Sequence, residues 1–161
     1  AKLVEGTNTK ILDTRKTIPG LRTAQKYAAR CGGCHNHRMG LYDAFLIKEN
    51  HIAACGGIKE AIDKAKKLYP NKKLEIEVEN IDQLKLAISS QPHVIMLDNF
   101  SYEQVIQACK LNKLNSEYEL SGNIDKKDLQ QHYQPHIEYL SIGKITKNLH
   151  PIDLSLRIPV F

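Results

Sequence analysis

Short apolar runs alternate with amphipathic stretches along most of the chain. Three stretches, residues 57–68, 81–88 and 102–111, place their apolar residues on one face of a helix. Since strands that alternate with helices are typical of parallel sheets, the pattern predicts an α/β fold. Six short runs have the character of buried parallel strands: residues 10–14, 44–48, 74–78, 94–97, 118–121 and 139–142.

The residues that follow these strands distinguish between two parallel architectures. A βα barrel builds its active site from the carboxyl ends of its strands, so polar residues are expected there. No glycine pattern of the GxGxxG or P-loop kind follows any strand, which disfavours an open dinucleotide-binding sheet. We therefore predict a barrel. The polar and glycine residues at the strand ends are Asp13, Arg15, Lys16, Lys48, Glu77, Glu79, Asp98, Asn99, Ser121, Gly122 and Gly143.

The positive charge is concentrated near the start of the chain. Residues 1–40 hold eight Lys or Arg against two acidic residues, a formal charge of +6, whereas the other 121 residues hold 15 against 16. Clustered cations attract nucleic acids, acidic membranes and small polyanions alike. There are only three Phe, seven Tyr and no Trp for base stacking, and the basic residues are interleaved with Gly, Pro and Thr. This composition favours a small anionic ligand over nucleic acid or membrane.

The termini and cysteines indicate the class of protein. No apolar run is long enough to span a membrane, and the first ten residues do not resemble a signal peptide, so we expect a cytoplasmic location. Four cysteines in such a chain do not predict a disulfide framework. The chain begins at Ala1 in a stretch that resembles the end of a helix, which suggests a fragment of a longer protein.

The segment CGGCHNHR, residues 31–38, allows three interpretations. A Cys-x-x-Cys-His sequence is typical of covalent haem attachment, but a run of βα units is unusual for such a cytochrome. Cys31, Cys34, His35 and His37 could also bind zinc, although four ligands within seven residues cannot easily form a tetrahedron. In the third interpretation, His37 and Arg38 bind an anion and the cysteines have no role.

The pair Arg15 and Lys16 follows the first predicted strand and precedes a Pro-Gly turn. At a barrel mouth, Arg can bind a carboxylate or phosphate through two hydrogen bonds, and Lys supplies a point charge. An isolated pair of this kind is usually part of a solvated loop. The neighbouring CGGCHNHR segment favours the anion-binding interpretation.

Several segments, in this order, resemble quinolinate phosphoribosyltransferase over residues 9–158. They are ILDTRKTIPGLR, CGGCHNHRMGLYDAFLIKENHI, EIEVEN, MLDNF, LSGNI and LSIGKIT. The resemblance implies an incomplete α/β barrel, with residues 1–161 as its single catalytic domain and the family's N-terminal α/β sandwich domain absent. It also implies a homodimer or higher oligomer in which an arginine from the partner's N-terminal region completes the quinolinate pocket.

The resemblance also implies the reaction. Phosphoribosyl pyrophosphate and quinolinate react with Mg²⁺ to give nicotinate mononucleotide, pyrophosphate and CO₂. Arg15, His37, Arg38 and Lys48 are then expected to bind the two carboxylates of quinolinate, with Lys16 between the two substrates. A pocket for two such anions must be strongly cationic, as the charge distribution independently suggests.

Glu77 and Asp98 end successive predicted strands, so they should be neighbours at the barrel mouth. By resemblance they bind Mg²⁺, directly or through water, or the ribose hydroxyls. Glu75 and Glu79 share the strand face of Glu77, and spacing alone does not decide which of the three faces the ligand. The implied catalytic residues are Lys16, Lys48, Glu77 and Asp98.

The last two predicted strands end in Ser121-Gly122 and Gly143. The late loops of βα barrels often bind phosphate through backbone N–H groups, so these residues are expected to bind the 5′-phosphate. Asn123 stands where the family often has glycine, and Lys147 where members vary between Lys and His. Asn tolerates a left-handed backbone better than most residues, which is compatible with the same loop.

Other functions remain open from the sequence. The chain could be a non-catalytic barrel that binds an anion or nucleotide, a metal or haem protein, or a phosphoribosyltransferase that acts on nicotinate. The pair His37 and Arg38 favours quinolinate, because a second carboxylate requires further cations.

Overall fold

A computed structural model describes residues 4–122, 124, 136–149 and 152–158. The six predicted strands are confirmed, although the first ends two residues earlier than expected. They are β1 Lys10–Leu12, β2 Phe45–Ile47, β3 Leu74–Val78, β4 Val94–Asp98, β5 Glu117–Ser121 and β6 Tyr139–Ser141. The helices of the described residues are α1 Arg22–Cys31, α2 Glu49–Cys55, α3 Ile58–Leu68, α4 Ile81–Ser90, α5 Tyr102–Cys109 and α6 Lys144–Lys147.

The strands form one parallel sheet in the order β1-β6-β5-β4-β3-β2. The two strands that come first along the chain therefore lie at opposite edges of the sheet. Because β1 and β2 do not pair, the sheet is not closed. The predicted α/β fold is confirmed, and the open sheet is consistent with an incomplete barrel.

The two faces of the sheet differ in polarity. One face is apolar and packs against the helices through fully buried residues such as Ile76 and Leu97. Each such side chain contributes about 1.5–3 kcal/mol on burial. Since side chains alternate between faces, the opposite face carries Glu75, Glu77 and Glu119, and it forms the inside of the incomplete barrel.

Three helices, α1, α2 and the four-residue α6, were missed in the sequence because they bury few apolar side chains or none. The buried residues of α1 are Lys26 and Ala29, and α2 has none. Helix α2 ends at Gly56, whose φ of 87° is a left-handed C-cap that favours glycine. None of the helices in the described part of the chain is long and apolar enough to cross a membrane.

The loop at residues 34–38 links the two edges of the open sheet. His35 forms a parallel bridge to Leu12 of β1, with its N–H donated to the carbonyl of Ile11 at 2.8 Å. At the other edge, Arg38 Nη1 donates to the carbonyl of Ala44, the residue before β2, at 2.9 Å. The loop that carries the predicted anion-binding residues is thus held by both edge strands.

Candidate active site

Two adjoining cavities lie at the carboxyl ends of the strands, where the sequence predicted the site. The first, here called the cation pocket, has a volume of about 210 Å³. The second, here called the loop pocket, has a volume of about 230 Å³. The cation pocket is lined by the predicted residues Arg15, Lys16, His37, Arg38, Lys48, Glu77, Asp98 and Ser121. The loop pocket is lined by the predicted residues Lys16, Asp98, Ser121, Gly122, Gly143 and Lys147.

Lys16, Asp98 and Ser121 border both cavities, so a ligand in one pocket would adjoin a ligand in the other. Asn123, the remaining predicted site residue, lies outside the described residues. The structure thus brings together the predicted residues that it describes, at one end of the sheet.

Two guanidinium groups, those of Arg15 and Arg38, line the cation pocket. Burial, and then the positive charge of Arg15, lower the pKa of Arg38 from its ordinary value. The Nε atoms of both residues are buried and have no hydrogen-bond partner within the described part of the chain. Buried donors of like charge are costly unless they are paired, and an anion would satisfy both.

Lys48 and Glu77 form an ion pair in the lining of the same pocket. Burial raises the pKa of Glu77, with a smaller contribution from Asp98, although Lys48 opposes the shift. Glu77 is therefore the glutamate at the mouth. Glu75 is buried inside the barrel, and Glu79 is exposed, with its backbone N–H donated to Gln83 Oε1 at 2.8 Å.

A buried ion pair supports the cation pocket. Lys26 has a side chain that is only 1% exposed, and its Nζ donates to Oδ1 of the fully buried Asp13. The second oxygen of Asp13 accepts from Asn36 Nδ2, and Oδ1 also accepts from the backbone N–H of His37 at 2.8 Å. One carboxylate therefore fixes the start of the Arg15 segment relative to the His37 loop. Lys26 was missed because a lysine on a polar helix is normally solvated.

A second polar cluster lies deeper in the barrel. His37 Nε2 is 3.1 Å from Glu75 Oε2 and 3.6 Å from Glu119 Oε1. Burial, and then the charge of Glu75, raise the pKa of Glu119 to about 8. Burial alone would lower the pKa of His37, but Glu75 and Glu119 outweigh it and raise that pKa. Glu119 was missed, although its spacing of two from Ser121 places both on one strand face.

The donor atoms of His37, Glu75 and Glu119 lie within 4.8 Å of one another, close enough for a metal ion. The histidine tautomer argues against this. His37 Nδ1 accepts the backbone N–H of Arg38 at 2.9 Å, so the proton of the neutral ring is on Nε2. Coordination through Nε2 requires a free electron pair there, and ligating histidines normally donate their other N–H. The cluster fits proton sharing better than metal binding.

The cysteine-based interpretations of the CGGCHNHR segment find no support. Cys31 is exposed at the end of α1, while His35 pairs with β1 and His37 points into the barrel. Among the residues described, no cysteine belongs to a group of three or more potential metal ligands. The four residues of the zinc interpretation, Cys31, Cys34, His35 and His37, therefore do not form a tetrahedral site. The fold is that of the predicted barrel, which is unusual for a protein with covalently attached haem.

The loop pocket depends on a close approach at Gly122. Its φ of 100° is left-handed, and a Cβ there would lie 2.3 Å from Asn99 Oδ1 and 2.8 Å from Asn99 N. Both the backbone angle and the contact require glycine. On the other side, Thr146 Oγ1 donates to the carbonyl of Lys16 at 2.7 Å, which ties α6 to the segment that borders both pockets.

Comparison with known proteins agrees with the motifs. A sequence profile described as "Quinolinate phosphoribosyl transferase, C-terminal domain" matches residues 1–157. A relative from Bacillus subtilis (strain 168), named probable nicotinate-nucleotide pyrophosphorylase [carboxylating], is 43% identical over 150 residues, 92% of this chain and 52% of that protein. The nicotinate-nucleotide pyrophosphorylase [carboxylating] of Mycobacterium leprae is 38% identical over 158 residues, 96% of this chain and 56% of that protein.

Solved structures agree as well. The nicotinate-nucleotide pyrophosphorylase from Francisella tularensis superposes with a TM-score of 0.91 and 51% sequence identity, over 96% of this chain and 55% of that one. The chain thus spans about half the length of the curated relatives it matches, 52% and 56%. From its motifs, fold and relatives, the chain belongs to the quinolinate phosphoribosyl transferase family, within which it matches the C-terminal domain.

Proposed function

We propose that this chain forms the catalytic barrel of an enzyme that transfers a phosphoribosyl group to quinolinate. Quinolinate and phosphoribosyl pyrophosphate give nicotinate mononucleotide, pyrophosphate and CO₂, a step of NAD biosynthesis. The names of the relatives support this reaction, since both are nicotinate-nucleotide pyrophosphorylases.

The observation that carries the proposal is the pair of buried, unpartnered Nε atoms of Arg15 and Arg38, considered among the described residues. Two guanidinium groups with unsatisfied donors match two adjacent carboxylates, each of which accepts two parallel hydrogen bonds. Lys48 and His37 line the same pocket, and Lys48 adds positive charge. Nicotinate carries one carboxylate and would leave part of this set unsatisfied, so quinolinate is the better match.

The phosphoribosyl donor would occupy the loop pocket. Gly122 and Gly143 allow its phosphate to approach the backbone, and Lys147 supplies charge. Lys16 borders both pockets, and the same is true of Asp98. The ribose would therefore lie at the junction, with its reacting carbon directed towards the cation pocket.

Magnesium suits two acidic residues, Asp98 at this junction and Glu77 in the cation pocket beside it. Glu77 and Asp98 are close enough for the charge of Asp98 to raise the pKa of Glu77, so a cation between them would relieve the repulsion. Mg²⁺ commonly takes one or two carboxylates and fills its other positions with water and phosphate oxygens. When bound, it would neutralise the charge that develops on the departing pyrophosphate.

The chain's own residues would orient and stabilise the reacting groups. Arg15 and Arg38 hold the carboxylates so that the ring nitrogen faces the ribose carbon. The new N–C bond forms as the C–O bond to pyrophosphate breaks, and Lys16 stabilises the leaving anion. The resulting pyridinium accepts the electron pair released when the adjacent carboxylate leaves as CO₂, and a proton from solvent then replaces it. This route requires no covalent nucleophile.

The proposal includes a cytoplasmic homodimer or higher oligomer in which a further region completes the site. The exposed apolar side chains of the described residues support an additional contact. Leu41 and Tyr42 are 74% and 70% exposed, and Leu154 and Leu156 are 85% and 95% exposed. Large exposed apolar groups in such number are typical of surfaces that another segment or subunit covers.

The test is a turnover assay with quinolinate, phosphoribosyl pyrophosphate and Mg²⁺, run on this chain and on the full-length protein. We expect nicotinate mononucleotide and CO₂ in equal amounts from the full-length protein. Calorimetry that detects quinolinate binding without product in either protein would favour a non-catalytic anion-binding barrel. Faster turnover of nicotinate than of quinolinate would assign the nicotinate-specific reaction instead.

A further inference from the structure

Glu119 lies at the floor of the cation pocket and is only 1% exposed. The same side chain borders a cavity of about 290 Å³ on the other side of the His37 loop. Its Oε1 atom has no hydrogen-bond partner within the described part of the chain, and the same holds for the neighbouring Ser141 Oγ, in a residue that is 5% exposed. A buried carboxyl group thus adjoins the space where a dicarboxylate would bind.

We propose that Glu119 is a specificity-determining residue that must be a neutral carboxylic acid when the dianionic substrate binds. The inference rests on the proposed function for the identity of the anion. An ionised Glu119 would repel the substrate within a cavity of low dielectric constant. The neutral acid can instead remain beside the substrate and donate a hydrogen bond to it through its O–H group.

The surroundings of Glu119 favour the neutral form. Glu75 on β3 and His37 in the loop at residues 34–38 both face Glu119. His37, Ser141 on β6 and Lys73 before β3 act in the opposite direction and favour the ionised form. Burial and Glu75 dominate, and they raise the pKa of Glu119 to about 8. Tyr139, whose own pKa is raised, is affected by the charge of Glu119 as well.

The sign of the pH dependence follows. Below about pH 8, Glu119 is already protonated and substrate affinity does not depend on it. Above that pH, binding must take up one proton, so affinity should fall about tenfold per pH unit. Loss of the His37 proton would also weaken anion binding as the pH rises, and the test must separate the two groups.

The variant Glu119→Gln separates them because glutamine is neutral at every pH and has nearly the same shape. If Glu119 controls binding, the variant should bind quinolinate about as tightly as the wild type at pH ~7 and about tenfold more tightly at pH ~9. If His37 alone controls binding, the variant should bind more weakly at high pH, since removal of a neighbouring carboxylate lowers the pKa of His37.

Isothermal titration calorimetry in buffers of different ionisation enthalpy provides the measurement. At pH ~9 we expect uptake of about one proton more by the wild type than by Glu119→Gln. Glu117→Gln is the matched control, because it also removes a carboxylate from β5. The Glu117 carboxylate accepts a hydrogen bond from the Tyr139 hydroxyl and does not line the pocket. Its affinity profile should follow the wild type. Equal profiles for all three proteins would overturn the proposal.

A second measurement keeps the inference separate from the proposed function. In the ligand-free chain at pH ~7, the infrared spectrum of the wild type minus that of Glu119→Gln should contain the C=O band of a protonated carboxylic acid. If quinolinate binds neither protein, the proposed function fails while this band still reports the state of Glu119. Absence of the band at this pH rejects the neutral acid.

Discussion

The backbone N–H of His37 donates a 2.8 Å hydrogen bond to Oδ1 of Asp13. The same oxygen receives the ammonium group of Lys26, so a fully buried carboxylate joins a helix, a strand end and the anion-binding loop. Arg15 follows Asp13 by two residues in the sequence. The spatial relation between Arg15 and His37 therefore depends on a residue that touches neither pocket.

Asp13→Asn should lower the free energy of unfolding by about 3–5 kcal/mol, because it leaves the buried charge of Lys26 without a counter-ion. Urea unfolding followed by circular dichroism measures the change. The control is the double variant Asp13→Asn with Lys26→Met, which removes both charges and should recover most of the loss. A double variant less stable than Asp13→Asn would show that the ion pair is not the source.

Lys48→Ala should reduce kcat/KM for quinolinate about 100-fold or more, which corresponds to about 2.7 kcal/mol of transition-state stabilisation. The Lys48 side chain is 43% exposed, so we expect the fold to be retained. Steady-state kinetics of the full-length enzyme, with a thermal melt of the same sample, provide both measurements.

Lys59→Ala is the matched control for Lys48. Lys59 also forms an ion pair, with Asp63 at 2.6 Å, but it lies on the exposed surface of α3. Its kinetics should equal those of the wild type. Near-normal activity of Lys48→Ala would remove Lys48 from the substrate site.

Gly122→Ala should weaken binding of the phosphoribosyl donor and destabilise the chain, because the new Cβ meets Asn99 at 2.3 Å and 2.8 Å. Gly20→Ala isolates the backbone component, since Gly20 has a φ of 78° but no atom within 4 Å of the added Cβ. Gly20→Ala should cost about 1–2 kcal/mol without a change in donor KM. Equal donor KM values for the two variants would contradict the proposed role of the loop pocket.

The double variant Cys31→Ser and Cys34→Ser should retain full activity and contain no less metal than the wild type. Neither cysteine lines the cation pocket or the loop pocket, and Cys31 is exposed. Elemental analysis and a visible absorption spectrum of both proteins test this. A haem spectrum, or zinc lost together with the thiols, would revive the cysteine-based interpretations.

The strands could be predicted because each is a short apolar run bounded by polar residues. Because the strands run in the same direction, their carboxyl ends place Lys48, Glu77 and Asp98 at one end of the sheet. The mouth of the barrel could therefore be predicted from the sequence as well. The parallel pairing of β3 with β4, and of β4 with β5, has the expected order along the chain. The expected roles of these residues in binding substrate or Mg²⁺ came from the resemblance of the motifs, because spacing alone left those roles open.

Buried polar groups were the part that the sequence did not predict. The polar neighbours of Lys26 along α1 predict a solvated side chain. Its contact with Asp13 depends on tertiary structure and cannot be predicted from the sequence of the helix. Glu119 alternates with apolar residues in β5, a pattern that suggests a solvent-facing side chain. Here that face is the interior of an incomplete barrel, so a rule for open sheets gives the wrong environment.

The position of β1 at the edge of the sheet has a consequence for folding. Its strand partner, β6, comes from the other end of the described chain, with Lys10 opposite Tyr139. Contacts of such long sequence separation form slowly, since the entropy of closing the loop is lost before any stabilising contact is made. We therefore expect β1 to join the sheet late, so that the segment carrying Arg15 and Lys16 is among the last parts to reach its native position. A bound dianion would then slow unfolding by holding this edge in place.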